Sequence, residues 1–200
     1  GPGNQKLLCE MFTGSVGDTV DLDNRTLTFT PRGPTSYIQC SQPASSFPVD
    51  PGSGTLLSLT DDSFVAVPLT GGAQVSLFGT NYSTYYVSSN GRITFGSGSE
   101  EFMAIFETHF ALPGISALFD DLDVSSGGAV LKQQLPDRAV VTFFGVPEFP
   151  THNSNSFQIE MFFNGVVRIT YLNIDAAIGV AGVSAGFGTP ANFLETNLDV

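Results

Sequence analysis

The feature that most limits what this chain can fold into is the near absence of a 3.6-residue hydrophobic period. Apolar residues alternate with polar ones or come in runs of three to five, bounded by Gly, Pro, Asn and Asp. Side chains alternate between the two faces of a sheet, so this pattern reads as short strands. Twelve segments qualify: 26–30, 37–40, 64–67, 74–78, 85–88, 92–95, 115–119, 129–132, 139–144, 157–162, 166–171 and 178–185. About twelve short strands and little helix predict an all-β antiparallel β-sandwich. The best helical candidate is Glu100 to His109.

Two hairpins can be read down to register. A two-residue loop at Asn164-Gly165 would place Met161 opposite Arg168 and Glu160 opposite Ile169, mixing charge and apolar groups on both faces. A three-residue loop, Phe163-Asn164-Gly165 with a left-handed Gly165, instead pairs Phe157 with Tyr171, Ile159 with Ile169 and Met161 with Val167 on one apolar face. Glu160 with Arg168 and Gln158 with Thr170 then share the opposite face, expected to meet solvent. The same loop at Ser89-Asn90-Gly91 pairs Val87 with Ile93 and Tyr85 with Phe95 inward, and Tyr86 with Thr94 outward.

With 42% hydrophobic and 12% aromatic residues, the chain has the apolar content of one folded domain over 1–200. The Ser-, Pro- and Gly-rich stretch 41–54 reads as a surface loop within it. A formal charge of -12 argues against nucleic-acid and anionic-membrane partners. No run approaches the ~20 apolar residues of a membrane span, so membrane insertion is not expected. Charged residues make up only 13%, leaving a surface of Ser, Thr, Asn and Gly, more typical of extracellular proteins. The opening Gly1-Pro2-Gly3 looks like the remnant of a cleaved tag, so the lack of a signal peptide carries no information.

Cys9 and Cys40 enclose about 30 residues, a loop whose closure would remove roughly 3 to 4 kcal/mol of unfolded-chain entropy. A disulfide is the expectation and two buried thiols the alternative; no C-x-x-C or nearby histidine suggests a metal or redox site.

Several strings suggest chemistry. Gly182-Val183-Ser184-Ala185-Gly186 matches a nucleophile elbow, but Gly188 and Pro190 oppose the helix that must follow and no histidine comes after Ser184, so a buried strand is the better reading. Asp120, Asp121, Asp123 and Ser125 place hard oxygen donors before a turn, a spacing that suits Ca²⁺, although the string is not an EF-hand; the alternative is a turn of solvated or amide-bonded aspartates. Asp61 and Asp62, or Asp18, Asp21 and Asp23, are further possible ligands. Paired carboxylates also suit a carbohydrate-active hydrolase or lyase, for which Asp121 and Asp123 are the candidates. Tyr82, Tyr85 and Tyr86 lie close enough in sequence to form a sugar-stacking shelf, against the alternative of ordinary strand tyrosines. His109 and His152 read as structural, and Asn24 and Asn81 begin N-glycosylation sequons.

Four strings in order carry a resemblance: Tyr86 to Gly96, Ile115 to Asp123, Asp137 to Pro147 and Asn155 to Glu160. Together the region 85–186 resembles the nidogen-type extracellular (NIDO-like) domain, and the chain is similar to secreted modules of environmental, planctomycete-like bacteria. It departs at Ala117-Leu118-Phe119 and Phe143, where the family carries proline and tryptophan. The resemblance implies an extracellular, non-enzymatic module of adhesive or matrix proteins and supplies no catalytic residue. The expectation is therefore a secreted or cell-surface binding or structural module, calcium-stabilised, whose partner is an extracellular protein or polysaccharide. A carbohydrate-binding module or a carboxylate-using hydrolase or lyase is the alternative.

Overall fold

A computed structural model describes residues 8–200. Its strands are β1 (Cys9–Thr13), β2 (Arg25–Pro31), β3 (Tyr37–Pro43), β4 (Thr55–Leu56), β5 (Phe64–Pro68), β6 (Val75–Leu77), β7 (Thr80–Tyr82), β8 (Thr84–Ser88), β9 (Arg92–Thr94), β10 (Pro113–Phe119), β11 (Ala129–Leu135), β12 (Arg138–Val146), β13 (Asn155–Phe162), β14 (Val167–Ile174) and β15 (Ile178–Ala185). A 3₁₀ turn at Pro51–Ser53 and a short α-helix, α1 (Phe106–Phe110), interrupt them. A six-stranded sheet runs β1-β15-β10-β9-β8-β5 and a seven-stranded sheet runs β3-β2-β14-β13-β12-β11-β4, with β6 and β7 as a separate hairpin. Neighbouring strands pair antiparallel throughout.

All twelve expected strands are present, and β1, β4 and β7 add to them. Each of the three is short or polar and owes its extended form to a partner: β1 to β15, β4 to β11 and β7 to β6. The helix is shorter than expected. Glu101 Oε1 accepts from the amides of Phe102 (3.1 Å) and Met103 (2.9 Å), satisfying locally the donors a longer helix would use.

The β13–β14 hairpin has the bulged register, with Ile159 opposite Ile169, Met161 opposite Val167 and Gly165 at φ +96°. Leu27, Ile159, Ile169, Val141 and Phe157 of one sheet and Val87, Ile93, Ile115 and Val183 of the other fill a shared core. Tyr171 ties the layers together by donating its hydroxyl to the Ala117 carbonyl (2.5 Å). Phe143 stacks on Phe157 with ring centroids 4.6 Å apart.

The opposite face of this hairpin does not meet solvent as its polarity suggests: Gln158, Glu160 and Thr170 are fully buried. The stretch 41–54 explains part of this. Its first residues extend β3, and Val49 then lies over Gln158, which accepts from the Val49 amide (3.1 Å), donates to its carbonyl (2.8 Å) and donates to Thr142 Oγ1 (2.9 Å). Glu160 is gripped by Arg168 through Nε (2.6 Å) and NH2 (2.7 Å) and by Arg138 (2.8 Å).

The expected disulfide is absent, and both cysteines are free. Cys9 packs with Phe110, Phe119 and Val180 in a second cluster, outside the main core, beside α1. Cys40 is exposed on β3, at the edge of the other sheet, paired with Thr28. The thiols thus lie on the edge strands of different sheets, Cys9 packed in the cluster outside the shared core and Cys40 facing solvent, so neither side chain enters the space between the layers where a bridge would form. Burial, reinforced by Glu195 and Glu10, pushes the Cys9 thiol well above its usual range, which keeps it unreactive.

Candidate metal centre

The site is organised by the tip of the β8–β9 hairpin. Gly91 sits at φ +82°, and a Cβ there would lie 1.9 Å from the Leu118 carbonyl oxygen, so only glycine lets the tip rest against the end of β10. The Gly91 carbonyl accepts from the amides of Ala117 and Leu118, both at 3.2 Å, and the Asn90 carbonyl accepts from Asp120 (3.2 Å). The fully buried Asn90 side chain then joins three segments. Its Oδ1 accepts from the Leu122 amide (3.0 Å), and its Nδ2 donates to Asp62 Oδ1 (2.9 Å) and to the Glu101 carbonyl (3.0 Å). Arg92 anchors the following excursion from beneath, donating to Thr108 O (3.0 Å) and Ser99 Oγ (2.6 Å) while its guanidinium lies 4.1 Å over the Phe119 ring.

Bonding of this kind gathers carboxylates from two separate stretches of chain. Asp61, Asp62 and Asp121 each offer an oxygen, all within 4.8 Å of one another. Calcium–oxygen distances of about 2.4 Å allow two ligands on opposite sides of one ion to stand about 4.8 Å apart, so these three oxygens fit a single ion. Among the described residues none of the three forms an ion pair with a basic side chain. Two of the three are raised above the ordinary carboxylate range. Burial first, then Asp62, Asp61 and Asp123, pushes Asp121 up to about 6, and burial with Asp62 and Asp123 raises Asp61.

Of the expected ligands Asp120, Asp121, Asp123 and Ser125, only Asp121 joins this group; Asp120, its neighbour along the chain, points the opposite way. Asp120 turns inward and is 2% exposed; its Oδ1 accepts from the Asp121 amide (2.9 Å). Burial and the adjoining Glu148 carboxyl raise its pKa far enough to hold it protonated at neutral pH. Asp123 is taken up by the turn itself: its Oδ1 accepts from the Ser125 hydroxyl and amide (3.1 Å) and its Oδ2 from the Ser126 hydroxyl (2.6 Å). Those bonds, Ser125 foremost, lower its pKa. Ser125 is therefore a donor to Asp123. Asp61 and Asp62 were readable as acids but not as neighbours of Asp121, and Asn90 was readable only as a turn residue. Asp18, Asp21 and Asp23 lie elsewhere, Asp21 facing Asp199 and Asp23 accepting from the Ile174 amide (3.3 Å).

The remaining candidates disperse. Tyr85 is buried in the core, Tyr82 stacks on Phe95 at 4.6 Å, and Tyr86 sits edge-on to Phe64 at 6.0 Å, so the three share no common shelf. Ser184 is fully buried in β15 and donates to the Leu112 carbonyl (2.8 Å). His109 is also buried, 2.7 Å from Ser116 Oγ and 3.2 Å from the Val183 carbonyl, and burial lowers it to about 3, so it stays neutral.

Among the described residues no helix is long and apolar enough to cross a membrane. No curated protein and no solved structure matches the chain. A family profile described as NIDO related does match, over residues 37–199, a span that takes in every strand except β1 and β2, together with the hairpin tip and all three converging aspartates. The chain belongs to the nidogen-related family.

Proposed function

We infer that this chain is a non-catalytic extracellular module, secreted or at the cell surface, that binds Ca²⁺ through Asp61, Asp62 and Asp121 and presents its sandwich to an extracellular protein or polysaccharide. The observation that carries the reading is the convergence of three carboxylates from separate segments, with no basic residue to compensate them. A hard cation is the ligand suited to an all-oxygen set. It would relieve the mutual repulsion and clamp the turn before β5 to the end of β10. A non-catalytic role agrees with the handling of the two remaining acids, since Asp120 is buried and protonated and Asp123 caps a turn.

The test is a thermal melt in EDTA and in millimolar CaCl₂. An ion that binds only the native state stabilises by RT ln(1 + [L]/Kd), about 2.7 kcal/mol at a hundredfold excess over Kd. In a domain of this size the melting temperature should rise by roughly 5 to 10 °C. An unchanged melt across the calcium series would overturn the calcium assignment.

A further inference from the structure

Residues 195–199 run beside β1, the outermost strand of the six-stranded sheet, and close that flank of the sandwich. The Thr196 amide donates to the Cys9 carbonyl (3.0 Å), Glu195 Oε1 accepts from the Met11 amide (2.8 Å), and Glu10 Oε1 accepts from the Leu198 amide (3.0 Å). From the other sheet, Gln39 Nε2 donates to the Leu198 carbonyl (2.8 Å) and Arg25 to the Asp199 carbonyl (2.6 Å). Leu198 itself is fully buried in the main core. The segment thus covers backbone groups that an open sheet edge would leave bare.

The polar side of this strap is built of acids. A cavity of about 340 Å³ is lined by Glu10 of β1, Asp18 and Asp21 of the loop between β1 and β2, and Glu195 of the strap. Asp199 adds its charge, facing both Glu10 and Asp21. From β14 Tyr171 faces Glu10, its hydroxyl engaged by Ala117, and the buried Cys9 thiol lies beside Glu10 and Glu195. Among the described residues none of these carboxylates forms an ion pair, and Arg25 reaches the strap only at a backbone carbonyl. Burial, with Asp21, Asp199 and Glu195 adding to it against the Leu198 amide, pushes Glu10 up to about 7; burial and Asp199 raise Asp21 as well.

We propose that residues 195–199 form a latch whose grip on the β1 edge is set by pH, held in mild acid and loosened in mild alkali. The sign follows from linkage. Leu198 covers Glu10, and Glu195 and Asp199 of the strap add to the charges that raise it, so the closed state binds more protons than the open one. Closure is fully favoured near and below the ordinary carboxylate value and weakens as pH climbs through about 7. Opening bares the β1 edge and the slot that Leu198 fills, which gives a partner strand access only above that range.

Hydrogen-exchange mass spectrometry on the whole chain in EDTA tests this, comparing pH 5.5 with pH 8.5 after correction for intrinsic exchange. Peptides covering β1 and residues 191–200 should lose protection on the order of tenfold at the higher pH, while those of β13 and β14 do not change. Glu10→Gln keeps the acceptor for Leu198 and removes the charge, so its protection should vary little with pH. Equal protection of the strap at both values in the unmodified chain, or an undiminished pH response in Glu10→Gln, overturns the latch. Should Glu10→Gln fail to fold, the exposed Glu195→Gln serves instead: a reduced response supports the latch and an unchanged one overturns it.

Discussion

Glu160 and the Asp61–Asp62–Asp121 group meet the same physical problem with opposite solutions. Glu160 sits within a central strand, fully buried, and two of the chain's seven basic residues converge on it, Arg168 with two bonds and Arg138 with one. Both guanidiniums also lie about 5 Å over the Phe162 ring. The three aspartates stand at the ends of strands, and among the described residues no basic side chain approaches them. The contrast teaches where a countercharge must be part of the chain. A carboxylate locked in a sheet cannot recover water, so its cations are written into the strands beside it. Acids at a hairpin end keep partial contact with solvent and are free to take a proton or an ion.

The hairpin end can be broken without touching the Glu160 network, and this should have the largest effect. Gly91→Ala forces a Cβ against the Leu118 carbonyl in a left-handed conformation. The expected loss is about 3 kcal/mol or more in urea unfolding, together with loss of any calcium response, while amide protection in β13 and β14 persists below the transition. A cost under about 1 kcal/mol would mean that the tip is not held against β10. Arg168→Met breaks the other side of the comparison. It leaves Glu160 with Arg138 alone and should cost roughly 2 to 3 kcal/mol, discounted from a fully buried pair because Arg168 is 30% exposed. Adding Glu160→Gln should recover part of that loss, and a double variant no more stable than the single one would show the arginine acting through packing on Phe162 instead.

Much of the architecture was legible because two signals agreed. In the β13–β14 hairpin, face alternation and the left-handed glycine selected the same register, and every expected cross-strand pair formed. What sequence could not supply was the third dimension beyond a hairpin. Gln158 and Glu160 look like solvent-facing residues because their strand neighbours are apolar; the loop that covers Gln158 lies 109 residues away in the chain. The cysteines failed for the same reason, since separation along the chain does not reveal that they belong to different layers. At the aspartate cluster, alternation of extended chain could have separated Asp120 from Asp121 beforehand. The approach of Asp61 and Asp62 depends on Asn90, whose side chain joins segments distant in sequence.

The smallest effect is the most discriminating, because calcium should reverse its sign. Asp121 is raised from its usual value of 3.8 to about 6 in the folded protein. A carboxyl raised on folding favours the native state at low pH and works against it as pH passes through 6, because the unfolded chain then releases its proton more readily. Asp121→Asn removes the charge with little change of shape. In EDTA at pH 8 it should therefore raise stability, by less than about 1 kcal/mol since the side chain is only partly buried and solvent screens it, and the gain should fade by about pH 4.5. In saturating calcium the same variant should melt below the unmodified protein, having lost one of three ligands from the cluster. A variant less stable than its parent in EDTA at pH 8 would show that the carboxylate is a structural acceptor, and the contrast with Glu160 would then fail at its centre.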